Sequence, residues 1–292
     1  MGYLPKHLRE WHPEPIPSTD ELAPGPVAAL AATLDLPEPV ALRGDLLPPM
    51  WHWLYFLDWP RGKDLGDDGH PLHGHFLPPI PDRRRMVAGG RMTIHSPLVL
   101  GRPAERSSSL GDVQIKQGRT GELAFVTVRH EFSQDSELCL VEEHDVVYRS
   151  GQATPEAHAP DRPLRVEVMS EDQRPPKWQL EVRPDSALLF RFSALTANAH
   201  RIHYDLAYSR DVEGYGELVV HGPLLALLML ELPRRHSGDR RIASLSYRFR
   251  SPVFVDTPFR ALATAEDDDR LSLRIATAGN ARHATANIVF AP

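Results

Sequence analysis

Arg85-Met-Val-Ala-Gly-Gly-Arg-Met-Thr-Ile-His-Ser-Pro-Leu98 can be laid on Arg240-Arg-Ile-Ala-Ser-Leu-Ser-Tyr-Arg-Phe-Arg-Ser-Pro-Val253, with Arg, Ala, Ser and Pro coinciding. Each copy carries an alternating apolar strand, Met92 and Ile94 in the first, Tyr247 and Phe249 in the second. Each strand runs into Ser-Pro, where proline's missing N–H ends central ladder pairing. Upstream lie Pro48-Pro-Met-Trp-His-Trp-Leu-Tyr-Phe-Leu-Asp58 and His221-Gly-Pro-Leu-Leu-Ala-Leu-Leu-Met-Leu-Glu231. Both read as buried helices, near 49–58 and 222–233. They are apolar all round, and proline stands near the first turn, where its lost N–H costs nothing. A series of strands follows each: 85–95, 113–118, 123–132 and 138–148, then 240–250, 259–265, 271–276 and 284–290. In the last, Ala284, Ala286, Ile288 and Phe290 alternate with Thr285, Asn287 and Val289.

One apolar helix enclosed by an antiparallel sheet, present twice, describes an α+β double hotdog. Each of two sheets wraps around its buried helix, and the sheets join edge to edge. A β-sandwich would give the two apolar helices no role. The proline-rich, aperiodic stretch 150–176 reads as a linker between an N-terminal unit, 1–149, and a C-terminal unit, 177–292. Residues 59–84, rich in Pro, Gly and His, form a long loop, and loops of that length are often functional.

Composition narrows the function classes. Across 292 residues, 41% hydrophobic and 25% charged, a sizeable core is affordable, and 28 prolines against 19 glycines point to many fixed loops. A net charge of −6 gives no electrostatic reason to invoke nucleic acid or an anionic membrane. The single cysteine, Cys139, excludes an intrachain disulfide, fits a reducing compartment and reads as a small buried hydrophobe. No apolar run is long enough for a signal peptide or a membrane span, so a cytoplasmic protein is expected. Two sheet edges lead us to expect a homodimer.

Polar chemistry concentrates between Phe190 and Gly222, where Asn198, His200, Arg201, His203, Tyr204 and Asp205 fall close together ahead of the second buried helix. Zinc ligation by His200, His203 and Asp205 lacks a fourth ligand nearby. The chain has no nucleophile elbow, no P-loop and no dinucleotide fingerprint, so no cofactor and no metal are expected. General acid–base chemistry fits the residue types. A histidine titrates near neutrality, and Gly222 at the head of an apolar helix can offer its N–H and the positive end of the dipole to an anionic oxygen. The histidines His70, His73 and His75 read as loop residues near the pocket, and Trp51, Trp53, Tyr55 and Phe56 as core.

Ala194-Leu-Thr-Ala-Asn-Ala-His-Arg-Ile-His-Tyr-Asp205, Tyr208 and Leu218-Val-Val-His-Gly-Pro-Leu224 resemble the MaoC-like hydratases and type 2 hydroxyacyl-thioester dehydratases. In the first half, Leu47 to Leu57, Leu65-Gly-Asp-Asp-Gly-His-Pro71, Gly74-His-Phe-Leu-Pro-Pro79 and Arg84-Arg-Met-Val-Ala-Gly-Gly90 are similar to a subgroup containing the mesaconyl-C4-CoA (3-methylfumaryl-CoA) and itaconyl-CoA hydratases. The resemblance implies a double hotdog whose C-terminal half keeps the catalytic groups while the N-terminal half supplies much of the acyl pocket. The usual hydratase pattern is Gly-Asp-x-Asn-Pro-Ile-His, whose Asp and His hold the attacking water. Its His falls on His203, and its Asp position is occupied by Asn198, which cannot abstract a proton.

The implied reaction adds water to the C=C of an acyl-CoA, itaconyl-CoA or mesaconyl-C4-CoA, giving citramalyl-CoA. Asn198, His203 and Gly222 are the catalytic candidates. Arg84, Arg85, His200, Arg201, Tyr204 and His221 are the substrate-binding candidates, one arginine for a free carboxylate or a CoA phosphate. Dehydration of (3R)-hydroxyacyl thioesters in fatty-acid or polyketide metabolism is the alternative, and a non-catalytic acyl-CoA-binding protein is another.

Overall fold

The computed structural model describes residues 3–36, 42–118, 121–150 and 175–292. In chain order the elements are α1 (Tyr3–Leu8), β1 (Ile16–Asp20), α2 (Pro24–Thr33), β2 (Arg83–Ile94), β3 (Ala104–Gly118), β4 (Gly121–Gln134), β5 (Glu137–Ser150), β6 (Trp178–Val182), α3 (Ser186–Leu195), α4 (Leu206–Asp211), α5 (Gly222–His236), β7 (Ile242–Phe249), β8 (Phe259–Ala265), β9 (Arg270–Ala276) and β10 (Ala284–Phe290). Most of the stretch 150–176, expected as a linker, lies outside the described residues, and Ser150 closes β5.

The described strands form one antiparallel sheet in the order β1-β3-β4-β5-β2-β7-β10-β9-β8-β6. That order is the same from either end once β1 is equated with β6, β3 with β8, β4 with β9, β5 with β10 and β2 with β7. The halves meet where β2 pairs with β7, and there Arg91 faces Ser246. Those two residues are also equivalent positions in the sequence repeat, so a pseudo-two-fold axis passes between them.

Backbone hydrogen bonds repeat with the elements. The Ser-Pro turns close on one carbonyl each: His95 and Ser96 donate to Cys139, Arg250 and Ser251 to His283. Leu47 N–H bonds Leu98 O at 2.8 Å, and Val220 N–H bonds Val253 O at 2.8 Å. After α2 the chain turns through Asp35 (φ 49) and Leu36 N–H returns to Ala31 O; after α3 it turns through Ala197 (φ 51) and Asn198 N–H returns to Ser193 O. Leu36 therefore occupies the position of Asn198.

The second buried helix forms as expected. Pro223 stands in the first turn of α5, Leu224 through Pro233 are all buried, and Arg234, Arg235 and His236 in the last turn complement the dipole. Each enclosed leucine contributes ~1.5–3 kcal/mol of apolar burial. Arg234 and Arg235 both pair with Glu231, which is 1% exposed.

The helix expected near 49–58 is absent. Only a 3-10 turn, Trp51–Leu54, forms there, between Met50 (φ 69) and Phe56 (φ 55) in left-handed backbone. Bulky rings lose side-chain freedom in a helix, and here two of them must reach a buried acid. Glu142, on the concave face of β5, accepts from His52 Nε2 at 2.7 Å and Trp53 Nε1 at 2.9 Å. Trp51, Leu54, Tyr55 and Phe56 fill the space a helix would take.

Strand β3 begins well before the expected 113. Its early inward-facing residues include Arg106 and Ser108, whose hydroxyl bonds His130 at 2.8 Å, so apolar alternation is missing there. Among the described residues no helix is long and apolar enough to cross a membrane.

Candidate active site

Two loops build the site. Residues 196–205 follow α3 in the C-terminal half; residues 65–71 reach across from the N-terminal half. Arg201 N–H donates to Asp68 O at 2.9 Å and Arg201 Nη1 to Asp67 O at 2.9 Å. Gly69 (φ +86) lies so close that a Cβ there would stand 1.8 Å from Ala199 O. Only glycine allows both the left-handed backbone and that approach.

Four imidazoles then lie in sequence. His70 and His200 have ring centroids 4.1 Å apart, His200 and His203 5.5 Å, and His203 stacks on His221 at 3.6 Å with 19° between planes. His203 is buried, and its Nδ1 lies 2.7 Å from Val219 O. Because a carbonyl only accepts, Nδ1 carries the proton and Nε2 keeps its lone pair. Burial pushes its pKa down to about 4, against the opposing pull of the Val219 bond. His200 is pushed down to about 2 by burial and by His70.

His221 immediately precedes α5, is fully buried, and its Nε2 meets Ser193 Oγ at 2.8 Å. Its Nδ1 is buried without a hydrogen-bond partner among the described residues, and burial drives its pKa well down. Gly222 opens α5, where the first N–H groups lack intrahelical acceptors. A Cβ there would meet the Phe249 ring at 3.1 Å, a close fit that a larger residue could enter only if the ring gave by a few tenths of an ångström.

Other expected residues are committed elsewhere. Asn198 Oδ1 accepts from His200 N–H at 3.0 Å, holding the loop and leaving its amide nitrogen for a ligand. Arg201 pairs with Asp205 at 2.7 Å and lies 4.2 Å above the Tyr208 ring. Tyr204, half exposed, donates to Ala199 O. Asp205 caps α4 through Tyr208 N–H, so it is not directed at a metal with His200 and His203. Arg84 pairs with Glu213. Arg85 faces the same side of the sheet as buried Tyr148, its partner across β2 and β5. It has no hydrogen bond or ion pair among the described residues, and burial lowers its pKa.

The loop histidine reading missed a pair. His70 Nδ1 lies 2.9 Å from Asp68 Oδ2, and His70 N–H donates to Asp68 Oδ1 at 2.8 Å. The Asp-x-His spacing in Leu65 to Pro71 was the signal available. Asp68, His70 and His200 are also the group of potential metal donors that comes together among the described residues, within 4.8 Å. Asp68 already holds both the backbone and the ring of His70, so we read it as a hydrogen-bonded pair.

A cavity of about 550 Å³ opens at the other end of α5, lined by Pro48, Trp51, Ile94, Leu230, Arg240 and Phe290 among others. The pseudo-two-fold carries the histidine cluster onto this place, since Ile94 and Arg240 are the counterparts of Phe249 and Arg85. Leu36, at the position of Asn198, leaves that end without the corresponding amide.

The profile of hydroxyacyl-thioester dehydratase type 2 matches residues 50–255. The chain belongs to this family. It is 46% identical over 252 residues to the mesaconyl-C(4)-CoA hydratase of Chloroflexus aurantiacus, covering 85% of this chain and 86% of that one. It is 26% identical to the mitochondrial hydroxyacyl-thioester dehydratase type 2 of Schizosaccharomyces pombe, with 82% and 87% covered. A MaoC-like dehydratase from Phytophthora capsici superimposes with a TM-score of 0.67 over 98% of both chains at 11% identity, which shows the shared fold. The double hotdog is thus the family's architecture, here with its first helix reduced to a single turn.

Proposed function

We propose that this type 2 dehydratase relative works as a hydratase without a cofactor, adding water to mesaconyl-C4-CoA to give citramalyl-CoA. The observation that carries the reading is the neutral, buried His203, whose Nε2 is left basic by the Val219 bond. Similarity to the Chloroflexus hydratase supports the choice of substrate. The double bond of mesaconyl-C4-CoA is conjugated with the thioester, so attack at the β carbon sends charge to an oxygen that a helix N-terminus can receive. In itaconyl-CoA the double bond is not conjugated, which makes it the poorer fit.

Water held between the Asn198 amide and His203 Nε2 adds its oxygen to the β carbon, and its proton passes to Nε2. The C=C electron pair moves through the α carbon onto the thioester oxygen, which accepts from Gly222 N–H at the head of α5. Proton delivery to the α carbon completes the addition. Arg85, half-buried and without an ion pair among the described residues, takes the free carboxylate; Arg84, already neutralised by Glu213, does not.

Loss of enoyl-thioester ultraviolet absorbance with mesaconyl-C4-CoA, compared with crotonyl-CoA, tests this. Hydration of mesaconyl-C4-CoA to citramalyl-CoA at the higher kcat/KM is expected. Tight binding of a panel of enoyl-CoAs with no turnover would sink it in favour of a binding protein.

A further inference from the structure

We propose that Asp68 and His70, carried by the N-terminal half, form the second acid–base group of this site, with His70 giving the α carbon its proton. The inference rests on the hydration reading. That chemistry needs two proton events, one at the attacking water and one at the α carbon. Asn198 stands where the family pattern has its acid, and an amide can supply neither.

Of the four neighbouring imidazoles, His70 is the one in direct hydrogen bond with a carboxylate. Asp68 grips it through both ring and backbone, which fixes the ring and leaves Nε2 as the nitrogen without a hydrogen bond among the described residues. Loop 65–71 is held against loop 199–201 by the two Arg201 bonds and the Gly69 approach, so the pair is fixed relative to His200 and His203. His70 is the catalytic residue; Asp68 is a positioning residue that stabilises the imidazolium.

The protons balance. His203 Nε2 takes one from water as the C–O bond forms, the His70 imidazolium gives one from Nε2 to the α carbon, and solvent restores both states between turnovers. In dehydration the roles reverse, with neutral His70 removing the α proton. Burial, with Arg85, holds the His70 pKa below the ordinary imidazole value against the pull of the Asp68 hydrogen bond and Glu213, and His200 and His203 also oppose the cation, so Asp68 is what keeps a protonated fraction within reach. A substrate carboxylate on Arg85 would offset that cation's repulsion, so a dicarboxylic acyl group helps to charge its own acid.

The experiment uses the full chain with His70→Ala and Asp68→Asn, hydration of mesaconyl-C4-CoA across pH, and deuterium uptake at the α carbon of citramalyl-CoA in D2O. His70→Ala should lose about 10²–10⁴-fold in kcat and in α-carbon exchange, and added imidazole should restore part of both. Asp68→Asn, which keeps the shape of the pair, should lower kcat more than it alters KM and shift the alkaline limb of hydration to lower pH. Wild-type hydration with His70→Ala within about threefold would overturn this inference and leave the function intact. So would losses that imidazole does not rescue, with an unmoved Asp68→Asn profile. A chelator abolishing activity that divalent cation restores would reassign Asp68 and His70 to a metal. No turnover by the wild type would instead remove the hydration reading itself.

Discussion

Gly69→Ala tests whether the N-terminal loop is part of the chemistry or merely lies beside it. The added Cβ would sit 1.8 Å from Ala199 O and 2.8 Å from its carbonyl carbon, both backbone atoms. No side chain can rotate away. At φ +86 the substitution also costs ~1–2 kcal/mol for left-handed backbone. Separating the loops removes both Arg201 bonds, to Asp68 O and to Asp67 O, worth ~1 kcal/mol each, so the total is about 3–4 kcal/mol. Neither loop can stay in place against a 1.8 Å overlap of backbone atoms, so the expected response is local displacement of residues 65–71, carrying His70 away from His200. Displacement of about 1 Å in a catalytic group can cost about 10²-fold in rate. Steady-state hydration should therefore fall by about that factor in kcat, while the far-ultraviolet circular dichroism of the sheet stays native. Gly62→Ala on the same long loop is the control, since a Cβ there meets nothing within 4 Å and the backbone is not left-handed. If Gly69→Ala hydrated mesaconyl-C4-CoA at the Gly62→Ala rate, the close approach would have no catalytic consequence and the reasoning would be refuted.

His203→Ala should lose about 10²–10⁴-fold in kcat/KM, and Asn198→Ala less. Wild-type hydration should fall as pH drops through about 4, because His203 must be neutral to take the proton. Asn198→Asp should fold, since a carboxylate can still accept from His200 N–H, and should move that acidic limb upward by placing negative charge beside the imidazoles. Arg85→Met should harm turnover of the dicarboxylic acyl-CoA more than that of crotonyl-CoA, whereas Arg84→Met should affect both alike by freeing Glu213; kcat/KM for the two substrates decides between them. Leu227→Ala, at 1% exposure inside α5, should destabilise the fold by about 2–5 kcal/mol in denaturant titration.

Local pattern was enough for much of this molecule. Period-two alternation places β10 to the residue, the strand expected over 259–265 coincides with β8, and the repeat around Ser96-Pro97 and Ser251-Pro252 announces a chain built twice, because equal strand-and-turn sequences answer to the same backbone constraints. The all-round apolarity of Leu224 to Leu230 requires a wrapped helix, and the cluster from Asn198 to His203 marks where polar chemistry gathers. Tertiary structure decided what depends on partners distant in sequence. The stretch Pro48 to Asp58 carries the same apolar signal as α5, yet Glu142 on a strand far along the chain claims His52 and Trp53 and leaves one turn in place of a helix. The two halves of β3 differ in pattern because Arg106 is half-buried and Ser108 buried beside polar groups, Ser18 and His130, that the sequence does not place near them. Arg84 and Arg85 are adjacent and alike in sequence, but alternate sides of a strand give one to Glu213 and leave the other without an ion pair among the described residues. His70 looked like loop because its meaning comes from Asp68 held at 2.9 Å and from His200 in the other half, a proximity that exists only once the two loops are docked.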